Sequence, residues 1–176
     1  MTQDSLTFYK LIVLYMLNRV DFPLTKAQVG DFILEREYTN SLTNFLTLHQ
    51  AIAELIDADL VTAKSSRNRT YLSITDDGRE ALSYFKNRIS HSIKEDIDGF
   101  FSANELKMRN EVSILADYLY NALSGEYEAH LIAKEKDITM LEITLSVPDE
   151  ETASSICANW HKKNQDIYQY LTRQLF

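Results

Sequence analysis

The chain has 176 residues, 45% of them hydrophobic and 25% charged, with a net charge of −8. That balance fits a globular protein of one domain or two small ones and excludes a disordered or fibrous chain. One cysteine, Cys157, rules out an internal disulfide and fits the cytoplasm, and the start MTQDSLTFYK lacks the basic segment of a secretion signal.

Segment 8–20 is helix-compatible, with Leu11, Ile12, Tyr15, Met16 and Leu17 on one broad face. The run is too short to cross a bilayer, so no membrane contact is expected. Pro23 ends it. Thr25 followed by Gln28 has the spacing of a capping box for a second helix over 26–36. Thr47 and Gln50 repeat that spacing and predict a third helix over 47–58. Its apolar stripe is Leu48, Ala51, Ile52, Leu55 and Ile56, with His49, Gln50 and Ala53 outward.

Two strands follow, 60–64 and 70–74, around a tip containing Lys64, Arg67, Asn68 and Arg69. Thr75 is the expected N-cap of a fourth helix with Asp76 and Asp77 at its positive end, burying Ala81, Leu82, Phe85 and Ile89. A short fifth helix is expected around Ile93, Ile97, Phe100 and Phe101. From Glu111 the period turns to two. Val112, Ile114, Ala116, Tyr118 and Tyr120 alternate, then Tyr127, Ala129, Leu131 and Ala133, then Ile143, Leu145 and Val147. Turns are expected at Gly125 and at KEKD. A long helix from Asp149 carries Ala153, Ile156, Trp160, Ile167, Leu171 and Leu175 on one face.

The predicted fold is therefore α+β: an N-terminal winged helix-turn-helix, then a three-stranded antiparallel meander and a long C-terminal helix. The expected division is 1–89 as a DNA-binding-type domain, 90–110 as a helical connector and 111–176 as a β-β-β-α part. Charge follows it. Residues 1–89 hold 10 Lys/Arg against 11 Asp/Glu, and residues 90–176 hold 8 against 15. An acidic second part keeps DNA to the other side of the molecule.

Three helices and a hairpin in this order place the third helix in a major groove and the hairpin along phosphates. Lys64, Arg67 and Arg69, with Asn68, would hold the backbone, arginine by its bidentate fork. Thr47, His49, Gln50 and Ala53 would face base edges, since glutamine pairs with adenine and small apolar groups touch thymine methyls. That helix has no Lys or Arg, and Glu54, Asp57 and Asp59 are expected to repel phosphate toward its C-terminal end. Its acidity leaves open a second role, a winged-helix protein-interaction module without duplex binding.

The stretch ELIDADLVTAKSSRNRTYLSITDDGREAL resembles the helix–wing–helix signature of winged-helix transcriptional regulators of the PadR and MarR kind. The matching positions are Leu55, Leu60, Val61, Thr75, Gly78 and Leu82. KLIVLYMLNRVDFPLT, RNEVSILADY and SICANWHKKNQDIYQYL are similar to a bacterial family described as a domain of unknown function with a predicted winged-helix domain. The resemblance implies DNA binding and supplies no ligand or operator.

The chain has no Gly-rich phosphate loop, no H-E-x-x-H and no G-x-S-x-G, so an enzyme is not expected, nor a cofactor. Cys157 and His161, one helical turn apart, are two ligands at most and make no metal site. The β-β-β-α part has two roles open to it: to form a homodimer, or to hold a small-molecule effector between sheet and helix.

Overall fold

Thr25 and Gln28 form the capping box that their spacing demands. The Thr25 amide donates to Gln28 Oε1 at 2.9 Å, and the Gln28 amide donates to Thr25 Oγ1 at 3.1 Å. This pair starts the second helix in a computed structural model that describes residues 3–35, 42–66, 68–136 and 138–176. The fold is α+β. Among the described residues it has six helices and two three-stranded antiparallel sheets. The chain divides into two compact units between Met108 and Arg109.

In the first unit, α1 (Gln3–Arg19), β1 (Leu24–Thr25), α2 (Lys26–Glu35) and α3 (Leu42–Asp57) precede a hairpin, β2 (Val61–Ser66) and β3 (Arg69–Ile74). Then come α4 (Asp76–Phe85), one 3₁₀ turn (Lys86–Arg88) and α5 (His91–Ser113). α1 is the buried axis. Ile12, Val13, Leu14, Met16 and Leu17 are all buried, as a helix apolar on every side requires. Leu48, Ala51, Ile52 and Leu55 of α3 pack on it as the stripe predicts. The sheet runs β1-β3-β2, with Leu24 opposite Leu72 and Val61 opposite Ile74.

α3 ends in a Schellman motif. Leu60 N–H reaches Leu55 O at 3.0 Å, Asp59 N–H reaches Ile56 O at 3.0 Å, and Asp59 takes φ 56°. Thr75 locks this turn to α4. Its hydroxyl donates to Asp59 O at 2.8 Å and accepts from the Gly78 amide at 3.0 Å, which makes it the N-cap the sequence predicts. The expected stripe of α4 holds for Leu82 and Ile89, but Phe85, the last residue of the helix, is exposed, with the Arg88 guanidinium 5.1 Å from its ring centre. α5 is long rather than short. The expected connector is helical, and residues as far as Met108 belong with the first unit.

In the second unit β4 (Ile114–Asn121), β5 (Glu126–Glu135) and β6 (Ile138–Val147) form a meander, and α6 (Glu150–Leu175) lies on one face. The alternating sets predicted from the sequence share that face. Ala116, Leu131 and Ile143 lie in one row, and Ile114, Ala133 and Leu141 in the next. Val112 is the exception, since it ends up in α5. Gly125 turns the first hairpin at φ 74° and Lys136 the second at φ 55°. Asp149 caps α6 by accepting from the Thr152 amide at 2.8 Å, a bond that holds its carboxyl below the ordinary aspartate range. Trp160, fully buried, plugs α6 onto the sheet and donates from Nε1 to Ile132 O at 3.2 Å. Leu175 is exposed: the stripe continues to the last turn, but the packing does not.

Candidate nucleic-acid interface

The β2–β3 ladder runs out to the pair Ser66–Arg69. Asn68 takes φ 60°, a left-handed position that asparagine tolerates. Arg67 lies outside the described residues. Lys64 and Arg69 are therefore strand residues, not tip residues. Lys64 pairs with Tyr71, and Arg69 stands two residues before Tyr71, so both cations share one face of the hairpin. Ala63 and Leu72 take the opposite, core-directed face. Both cations are exposed.

α3 departs from its expected limits. It begins at Leu42, so Thr47 lies inside the helix and cannot cap it. Thr47 is also only 5% exposed, which leaves no surface to offer a base. Gln50 is not part of a capping box either: its Nε2 donates to Glu54 Oε1 at 2.9 Å. Lys10 of α1 forms an ion pair with Glu54, and this contact holds the Glu54 carboxyl below its ordinary range. The acid expected to repel phosphate at this point is thus already matched by a cation.

His49, Gln50 and Ala53 are exposed on one side of α3, as the periodicity predicts. They are joined by Phe45 and Leu46, 42% and 57% exposed, which a helix starting at Thr47 leaves out. The Phe45 ring lies 4.4 Å from the His49 ring. Only Leu46 has a signal in the sequence: it falls opposite the 48/51/52/55/56 stripe, whereas Phe45 falls within the arc of that stripe and the period alone would bury it. The outward face of α3 is thus aromatic and apolar at its start and carries no Lys or Arg.

Elsewhere, Cys157 is half-buried in the core of the second unit and His161, one helical turn later, is exposed. Among the described residues no three His, Cys, Asp or Glu side chains gather around a metal-sized site. No helix among them is long and apolar enough to cross a membrane.

What stands defined is a two-unit α+β protein with a cationic hairpin face beside an amphipathic helix. The chain belongs to the family described as Domain of unknown function (DUF4364), whose model matches residues 9–175. No curated protein and no solved structure gives a significant match. The expected likeness to PadR- and MarR-type regulators finds no support in these comparisons.

Proposed function

We propose that the first unit is a winged helix-turn-helix and that the protein is a sequence-specific DNA-binding transcriptional regulator acting in the cytoplasm as a homodimer. The observation that carries this reading is the pair of exposed cations, Lys64 and Arg69, on one face of the hairpin that directly follows α3. The order α1-β1-α2-α3-β2-β3, with β3 between β1 and β2, is the order such a fold needs. The hairpin would lie along phosphates, with Arg67 expected from the sequence to add a third cation and Asn68 a neutral hydrogen-bonding group. α3 would enter the groove with His49, Gln50 and Ala53 toward base edges; Thr47 drops out. A second copy supplies a second half-site, which raises affinity by avidity alone. No reaction and no cofactor belong to this function. An effector would have to bind the second unit.

Selection of bound duplexes from a random-sequence pool tests base reading. Gln50→Ala and His49→Ala are expected to relax preference at one or two positions by about 1–3 kcal/mol each, leaving the salt dependence of binding unchanged. An identical selected motif for wild type and both variants would remove α3 as the reader.

One observation favours a different role. Phe45 and Leu46 expose apolar surface where a groove-binding helix usually presents polar groups. A winged-helix module that docks a protein through α3, without duplex binding, accounts for those two residues. In that case the pool yields no enriched sequence.

A further inference from the structure

β6 is the last strand of its sheet. One edge pairs with β5, and no strand among the described residues pairs with the other. The strand is ten residues long, ITMLEITLSV, with a single charge, Glu142, and no proline. Open edges of this kind are normally blunted by charges, proline or bulges, because an unpaired row of N–H and C=O groups is a template for another strand. The one irregularity here lies at Ala133/Lys134 near the hairpin, and the pairing is regular from Leu141 to Val147. α6 packs mainly over β4 and β5. On the face it shares with β6, Leu145 remains 41% exposed, while Leu141 and Ile143 are half-covered. On the other face Glu142, Thr144 and Ser146 are exposed.

We propose that the open edge of β6 pairs antiparallel with β6 of a second copy, around a two-fold axis at Ile143, giving one continuous six-stranded sheet. An axis normal to the sheet keeps both α6 helices on one side, so residues pair only with positions of the same face. Centred on Ile143, Leu141 meets Leu145 of the second copy, and Met140 meets Ser146. The single charge, Glu142, meets the neutral Thr144. A centre at Glu142 would set that carboxylate against its own copy, an arrangement strands avoid. The Ile143 centre also gives a long overlap, 139–147, and joins the two half-exposed apolar rows above the sheet. Backbone pairing and these few side chains make a small interface, so dissociation in the micromolar range is expected. The inference rests on the homodimer part of the function proposed above and is independent of DNA binding.

Sedimentation velocity of the full chain across the micromolar range reads it directly. Wild type should shift from monomer to dimer. Thr144→Glu places two pairs of carboxylates opposite each other by symmetry and should weaken the dimer about tenfold. Adding Glu142→Lys to that variant sets the new lysine against the new glutamate and should restore dimerisation. Both variants lack the 3.2 Å hydrogen bond between Thr144 Oγ1 and His130 Nδ1, so the difference between them reads the interface alone. Unchanged circular dichroism checks that each is folded. A wild-type dimer that Thr144→Glu leaves intact overturns the β6 pairing and leaves the homodimer standing. A monomeric wild type throughout overturns both, and leaves DNA binding to be judged by itself.

Discussion

Gly78→Ala is expected to destabilise the first unit by about 3 kcal/mol, an effect far above that of an ordinary helix substitution, which would favour alanine. A Cβ at position 78 would lie 2.1 Å from Leu60 O and 2.8 Å from Ile74 Cγ1. The first of these is backbone, held by the Thr75 amide at 3.1 Å and by the Schellman turn that ends α3. It cannot rotate away as a side chain could. Relief requires moving the start of α4 off that turn, which strains the Thr75 cap that joins them. Because the same turn sets the direction of β2, the damage should extend to the hairpin. Urea unfolding followed by far-ultraviolet circular dichroism measures the loss. A midpoint equal to wild type would mean that α4 and the α3–β2 turn do not touch as described.

Trp160→Ala is the largest expected loss in the second unit, about 3–5 kcal/mol. The indole is fully buried between α6 and the sheet, with Leu131 and Ala133 beneath it and Ile156, Cys157 and Ile167 around it. A small unit built on one sheet and one helix has little other core to absorb the cavity. Its Nε1–H also donates to Ile132 O, so truncation removes that hydrogen bond as well as leaving a void. Trp160→Phe separates the two effects, since it keeps most of the volume and removes the donor; a loss of about 1–2 kcal/mol is expected. Thermal unfolding of the two variants compared with wild type gives both values. Equal stability of the alanine variant would exclude Trp160 as the link between helix and sheet.

The parts of this structure governed by neighbours in sequence are legible in the sequence. The Thr25–Gln28 box, the Thr75 cap and the period-two runs of β4 and β5 each depend on residues within a few positions of one another. Where expectation and structure differ, distant residues decide. Thr47 and Gln50 have the same types and spacing as Thr25 and Gln28, yet the helix already runs through them from Leu42, so the motif is an imitation. Nothing within the motif distinguishes the two cases. The long span of α5 is hidden by its polar middle, SANELKMRN, which has too few apolar residues to show a period. Leu175 obeys the α6 stripe at a point where there is no longer a sheet to cover it.

The candidate site divides in the same way. The cations of the hairpin are legible as letters, but their common face follows from a register in which Lys64 stands opposite Tyr71. The pairing of Glu54 with Lys10 joins α3 to α1, and no local pattern announces it. That ion pair alters the electrostatic reading of α3 from repulsive to nearly neutral at its middle. The exposure of Phe45 and Leu46 alters it again, since apolar surface there serves a protein partner as readily as a groove.

Duplex binding followed by fluorescence anisotropy over a salt series decides between those uses. Lys64→Ala with Arg69→Ala should weaken binding to every sequence alike and lower the log–log salt slope by about 2, close to 0.9 for each phosphate no longer neutralised. Identical affinity and slope for the variant and the wild type would contradict the hairpin's role, and absence of duplex binding by the wild type at low salt would contradict the DNA-binding function itself.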